Sequence, residues 1–254
     1  MDSLENKRIL VSGGASGIGR ATAAVLSARG ARVAVIDRAA ATGVPAEIAL
    51  KADLSQEAEV AAAVEQAGKT LGGIDGLVHS AGIAGLGTAV DLELDRWDQV
   101  LAVHLTGAML LARHAIPAML DAGGGAIVNV ASIYGMVGGS NNLAYNSAKG
   151  AIVQLTRSIA ADYGRQGIRA NSVSPGYIET PLSDLLKQDR RMLEAFVDMH
   201  VLGRGGQPEE VAAAIAFLLS DEASFITAVN LPVDGGFTGA RVMPGFSSAV
   251  QDRN

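Results

Sequence analysis

Residues 8–19 read RILVSGGASGIG. Ile9, Leu10 and Val11 make a short apolar run, glycines follow at 13, 14, 17 and 19, and a helical stretch begins at Gly17. A strand that turns through glycines into a helix opens a βαβ unit. Glycine there lets the backbone turn tightly and lets a ligand approach closely. The helix behind it offers unpaired N–H groups and the positive end of its dipole, which suits a pyrophosphate. The spacing is G-x-x-x-G-x-G rather than the G-x-G-x-x-G of the common fingerprint. A purely structural turn has the same composition, so it is the strand–turn–helix context that points to a nucleotide.

The pattern repeats outward from this turn. RILVS (from Arg8), ARVAVID (from Ala31), IDGLVH (from Ile74), GAIVNVAS (from Gly125) and IRANSVS (from Ile168) read as strands. Their near-continuous apolar character suits parallel strands covered on both faces. Segments from Gly17, Gln56, Asp95, Leu143 and Pro208 read as helices, with Asp95 and Pro208 as starting residues. The alternation predicts an α/β fold: a doubly wound parallel sheet with helices on both faces and right-handed crossovers. Asp53 and Leu54 are expected to end the third strand. Asp37 to Asp53 leaves little room for a helix, so that crossover is expected to be a turn. Residues 1–238 are expected to form one domain, with a substrate lid at about 181–205. The polar stretch 239–254 reads as a frayed tail or as an arm that docks on a neighbouring subunit.

The totals narrow the function class. The chain has 254 residues, 49% hydrophobic and 18% charged, with mean hydropathy +0.27, which excludes global disorder. Net charge −6 and a pI near 5.2 argue against nucleic acid and against an anionic membrane surface as partners. There is no cysteine, hence no disulfide or thiolate chemistry. The N-terminus lacks a signal-peptide h-region, and the apolar runs read as too short for a bilayer, which takes about 20 residues. A soluble, cytoplasmic protein is expected. The four histidines, at 79, 104, 114 and 200, show no metal-binding spacing, so no metal is expected.

Two further groups carry chemistry. Asp37 closes the second strand, where a carboxylate can accept from adenosine ribose hydroxyls and repel a 2′-phosphate. This favours NAD over NADP, although Arg38 beside it is a possible phosphate partner. Asp53 either bonds the adenine amino group or caps the helix that follows. Tyr145 and Lys149 are spaced i, i+4 on a helical segment and so share one face. An ammonium near a phenol favours the phenolate, which suits a proton donor and acceptor for an alcohol or carbonyl. Ser132 stands 13 residues earlier, past the fifth strand, where open α/β sheets bind ligands.

With these residues in view, the chain resembles the short-chain dehydrogenase/reductase superfamily, with its Rossmann fold, along nearly its whole length. The matching motifs are SGGASGIG at 12–19, Asp37, SAG at 80–82, Ser132, Tyr145-x-x-x-Lys149, SPGYIET at 174–180 and VDGG at 233–236. The resemblance implies hydride transfer between NAD(H) and a secondary alcohol or ketone. It assigns substrate orientation to Ser132, acid/base work to Tyr145, and tuning of the tyrosine and ribose binding to Lys149. It implies cofactor contacts at Ser12, Gly13, Ser16, Gly17, Ile18, Gly19, Asp37, Asp53, Leu54, Ser80, Ala81 and Gly82, and at Tyr145, Lys149, Pro175, Gly176, Ile178 and Thr180.

Three positions depart from the family pattern. Ser12 replaces a threonine. His79-Ser80-Ala81-Gly82 replaces N-N-A-G, so the two amides that brace the central strands are lost. His104 stands where the family places an asparagine that holds a water in the proton route from the lysine to solvent. His104 either serves that route as part of the catalytic set or is a histidine hydrogen-bonded within the core.

Substrate recognition is expected after the fourth and fifth strands and in the lid. These pieces carry Met136, Leu143, Leu185, Leu186, Met192, Phe196 and Met199, which suits an apolar, cyclic or small polyol-like alcohol. Arg190 and Arg191 read as an exposed helix face rather than as a carboxylate anchor. The alternatives to a dehydrogenase are a catalytically silent nucleotide-binding subunit and an epimerase- or dehydratase-like enzyme. The resemblance also implies a homo-oligomer, a dimer or tetramer.

Overall fold

The computed structural model describes residues 4–241. Seven parallel strands form one sheet: β1 Arg8–Ser12, β2 Arg32–Asp37, β3 Ile48–Lys51, β4 Gly76–His79, β5 Gly125–Val130, β6 Ile168–Pro175 and β7 Asn230–Val233. Their order is β3-β2-β1-β4-β5-β6-β7, so the winding reverses between β1 and β4. Ligands bind open α/β sheets beyond the strand C-termini at such a switch point.

Alternate residues of the central strands feed two cores, as the two-residue period of a strand requires. Leu10, Ile36, Leu77 and Ile127 pack on one face with α2 (Glu57–Leu71) and α4 (Gly107–Asp121). Val11, Val35, Val78 and Val128 pack on the other, with α1 (Gly17–Ala28) and α8 (Pro208–Leu219). All eight strand residues are at most 1% exposed. At about 1.5–3 kcal/mol for each large apolar side chain buried, these faces hold the strand ends that carry the site.

The crossover between β2 and β3 contains no helix, as its length predicts. The third strand is shorter than read: it ends at Lys51, and Asp53 and Leu54 lie beyond it. Leu54 is buried in the core beside α2 and α4. The helix expected from Asp95 starts at Leu94 as α3 (Leu94–Leu101), widens into a π turn at Ala102–Thr106 and continues as α4. This run, Leu94–Asp121, is long and apolar enough to cross a bilayer, which corrects the reading that every apolar run is too short. Half of its most apolar window is buried inside the protein, as expected for a core helix.

The α5 helix (Leu143–Tyr163) follows β5 and carries the Tyr–Lys pair. The lid contains α6 (Asp184–Lys187) and α7 (Arg190–Asp198), the latter capped by Asp189 accepting from the backbone N–H groups of Arg191 and Met192. Strand β7, only four residues long and half-exposed in NLPV, pairs with β6 and adds a strand beyond those the sequence pattern predicts. Of the tail expected at 239–254, residues 242–254 lie outside the described residues.

Candidate active site

The glycine turn is packed too tightly for side chains. A Cβ at Gly13, where φ is +70°, would lie 2.6 Å from the Ala81 nitrogen, and one at Gly19 would lie 2.1 Å from the Gly13 oxygen. Gly17, at φ +50°, sits against Thr180, 3.3 Å from where its Cβ would be. The turn, the Ser80-Ala81-Gly82 segment and the Thr180 end of the Pro175-Gly176 segment are thereby brought together. Ser16 starts α1 without a side-chain cap to its first turn, which leaves those N–H groups to a ligand. Ile18 packs partly into the core beneath.

Asp37 is bound into this turn. Its Oδ2 accepts from the Ala15 N–H at 3.0 Å and its Oδ1 from the Ala39 N–H at 2.8 Å. The carboxylate therefore sits at the mouth of the glycine turn, at the end of β2. Asp53 is bound into the turn before α2: Oδ1 accepts from the Ser55 N–H at 2.9 Å and the Ser55 hydroxyl at 2.7 Å, while α2 itself starts after Gln56 with no side-chain cap, so Asp53 does not cap that helix. Those two bonds, backbone first, hold its carboxyl below the usual range.

Ser132, Tyr145 and Lys149 converge. Ser132 follows β5, and its Oγ accepts from the Tyr134 N–H at 3.1 Å, fixing the short turn Ile133–Gly135. The Ser132 hydroxyl favours the Tyr145 phenolate, but burial outweighs it, so the Tyr145 pKa stands above its ordinary value of 10. The lysine does not offset this as the i, i+4 spacing predicted. Lys149 Nζ lies 5.6 Å from the centre of the tyrosine ring and donates to the Val130 carbonyl at 2.7 Å. Lys149 is 3% exposed, and loss of hydration brings its pKa down to about 7.

Behind these groups lies a chain of buried histidines. Ser12 and His79 face each other across the β1–β4 pair. The Ser12 hydroxyl is 2.9 Å from His79 Nδ1, and His79 Nε2 is 3.0 Å from the His104 carbonyl oxygen. A carbonyl only accepts, so Nε2 carries the proton and Nδ1 accepts from Ser12. The brace expected to be missing with the two asparagines is thus supplied by His79. The Ser12 hydroxyl, expected to face the cofactor, is instead fully buried in this bond. His79 is also fully buried; lost hydration, then Lys149, brings its pKa to about 3.

His104 occupies the π turn, and π turns often mark functional sites. Its ring meets the Tyr145 ring edge-on, with centroids 5.4 Å apart and planes at 84°. Its Nε2 lies 2.9 Å from both the N–H and the carbonyl oxygen of Ile83. Its Nδ1 is buried and has no partner among the described residues. Burial first, and then Lys149, keeps the ring neutral.

A further buried histidine, which no motif spacing marks, braces the segment after β6. His200 is 3% exposed; its Nδ1 donates to the Phe196 carbonyl at 2.9 Å, and its Nε2 accepts from the Tyr177 N–H at 3.0 Å. It fastens α7 to the Pro-Gly segment, against Gly176. Ile178, expected at the cofactor, has its side chain in the core with Val211 and Ile215. Arg190 is 89% exposed at its side chain and pairs with Glu194, as an outer helix face would. Among the described residues no cluster could hold a metal ion.

Comparison with known proteins extends this geometry. A family model described as enoyl-(acyl carrier protein) reductase matches residues 13–238. The chain is 41% identical to 2-(S)-hydroxypropyl-CoM dehydrogenase 3 of Xanthobacter autotrophicus (strain ATCC BAA-1158 / Py2), over 92% of this chain and 98% of that one. It is 40% identical to cyclohexanol dehydrogenase of Acinetobacter sp. (strain SE19), over 93% and 97%. The solved structure of Thermoplasma acidophilum aldohexose dehydrogenase superposes with a TM-score of 0.88 at 32% identity, over 95% of this chain and 98% of that one. A family match that runs from the glycine turn past the last strand, with relatives at this identity over nearly the whole chain, shows the lineage: the chain belongs to the short-chain dehydrogenase/reductase family.

Proposed function

We propose that this chain oxidises a neutral secondary alcohol to a ketone, and catalyses the reverse reduction, with NAD as its cofactor. The observation that carries the proposal is the convergence of Ser132, Tyr145 and Lys149 beside an uncapped glycine-turn helix. The free N–H groups of that turn fit a pyrophosphate, and Asp37 at its mouth fits ribose hydroxyls and opposes a 2′-phosphate. When bound, the nicotinamide supplies the hydride chemistry.

The protein's part is to hold and move a proton. Ser132 holds the substrate oxygen beside the Tyr145 hydroxyl. In reduction, the protonated phenol gives its proton to the forming alkoxide. In oxidation, the phenolate takes the hydroxyl proton. The raised Tyr145 pKa keeps the phenol protonated at neutral pH, so oxidation accelerates as pH rises and reduction does not. Lys149, near 7, can exchange a proton with its surroundings in the same range.

Names of relatives support the alcohol class: both hydroxypropyl-CoM and cyclohexanol carry a secondary hydroxyl. The exposed apolar side chains of the lid, Leu182, Met192 and Met199, suit a substrate with apolar surface. The lack of cysteine suits a reducing, cytoplasmic setting. The test is a screen of secondary alcohols, diols and polyols with NAD and with NADP, followed by absorbance of the reduced cofactor. NADH formation with at least one cyclic alcohol is expected. Product without net NADH would point to the epimerase-like alternative instead.

A further inference from the structure

Tyr134 is a phenol that the proposed proton transfer does not use. It follows Ser132 by two residues, and the Ser132 Oγ fixes its backbone by accepting the Tyr134 N–H at 3.1 Å. Its ring stacks on Phe196 of α7, with centroids 6.2 Å apart and planes at 13°. The ring edge lies against Gly139, where a Cβ would stand 2.4 Å from Tyr134 Cε1. Gly139 is itself held by Asn146, whose Nδ2 donates to the Gly139 carbonyl at 2.7 Å. Asn146 directly follows Tyr145. Tyr134 is therefore clamped between the catalytic helix and the lid, with its ring in place before any substrate arrives.

Phe196 extends this wall. Its ring meets Tyr177, His200 and Phe237 edge-on, with centroids 6.0, 5.3 and 5.8 Å away. Phe196 and His200 of the lid thus join Tyr177, Phe237 and Tyr134 in an aromatic cluster, and Tyr134 is its member nearest the catalytic serine in sequence. The Tyr134 hydroxyl has no hydrogen-bond partner among the described residues. Tyr134 follows the catalytic Ser132 by two residues, on the backbone that Ser132 Oγ holds, and partial burial raises its pKa, so it remains a donor across the working range. A half-buried, preorganised phenol without a protein partner is satisfied by water or by a ligand oxygen.

We propose that Tyr134 is a specificity-determining residue: its hydroxyl binds a second oxygen of the substrate while Ser132 and Tyr145 hold the reacting one. The substrate class is a neutral ring bearing two oxygens, a cyclic diol or hydroxyketone. The aromatic wall covers its apolar surface, and the phenol both donates to a carbonyl or hydroxyl and accepts from a hydroxyl. No charged anchor is required, in keeping with Arg190 being turned outward and paired. The inference rests on the alcohol dehydrogenase reading above.

The test compares wild type with Tyr134→Phe, which keeps the stacked ring and removes only the hydroxyl. Substrates are cyclohexanol and the 1,2-, 1,3- and 1,4-cyclohexanediols, with NAD. Wild type should prefer at least one diol over cyclohexanol in kcat/KM. The variant should lose about tenfold on that diol, mainly through KM, and stay within about twofold on cyclohexanol, because one hydrogen bond to the substrate is lost. An unchanged diol-to-cyclohexanol ratio would overturn the role of Tyr134 and leave the dehydrogenase reading standing. A wild type that oxidises none of the four would overturn that reading, and this inference with it.

Discussion

His79 donates from Nε2 to the backbone carbonyl of His104 at 3.0 Å, joining the central sheet to the π turn that leans on Tyr145. With Ser12 on its other nitrogen, His79 spans β1, β4 and the helix behind the catalytic tyrosine. One neutral ring does what a pair of amides would otherwise do.

That arrangement fixes how stability depends on pH. His79 has a folded-state pKa of about 3 against an ordinary 6.5. Below pH 6.5 the unfolded chain binds a proton that the folded one refuses. Stability from this residue is complete above 6.5 and is lost as pH falls toward 3, at up to about 1.4 kcal/mol per pH unit. Denaturant unfolding of wild type and His79→Asn between pH 7 and pH 4 should show a shallower slope for the variant. Equal slopes would mean that His79 is hydrated or already charged in the folded protein.

His104 should matter to turnover more than to cofactor binding. Both tautomers satisfy Nε2, since the Ile83 N–H and carbonyl lie equally near, which leaves Nδ1 able to give or take a proton. His104→Leu should lower kcat about tenfold or more with little change in the Kd for NADH. His104→Asn should recover part of the loss with a shifted pH–rate profile. A profile identical to wild type for His104→Asn would reduce His104 to a core histidine.

Much of this site was legible from residue order. The glycine turn, Asp37, Ser132 and the Tyr145–Lys149 pair lie next to strand ends or on one helix, so local spacing places them. The seams were not legible. Strand β7 is short and not strongly apolar, and its pairing with β6 depends on residues more than 50 positions earlier. Asp53 was readable as a helix cap only because the start of α2, two residues further on than Ser55, is not marked in the sequence. The Tyr145 pKa depends on burial, which spacing does not encode; the i, i+4 rule gave the shared face but the wrong sign for the balance. His79 looked like a lost brace because its partners, Ser12 and the His104 carbonyl, come from distant segments.

Asp37 should set cofactor choice. Its carboxylate is held at the glycine turn by the Ala15 and Ala39 N–H groups, where a 2′-phosphate would meet a like charge. NADH should bind wild type at least about tenfold more tightly than NADPH, given what like-charge juxtaposition costs. Asp37→Ser should narrow that gap by weakening NADH and relieving NADPH. Equal affinities in wild type would remove this role from Asp37 and turn attention to Arg38.

The central claim is that Tyr145 carries the proton. Tyr145→Phe keeps the ring against His104 and removes only the hydroxyl. Energy transfer from Trp97, the chain's one tryptophan, to bound NADH reports cofactor binding independently of turnover. The account predicts that Tyr145→Phe binds NADH as wild type does and loses at least about a hundredfold in kcat for alcohol oxidation. Wild-type turnover in that variant, with NADH still bound, would contradict it.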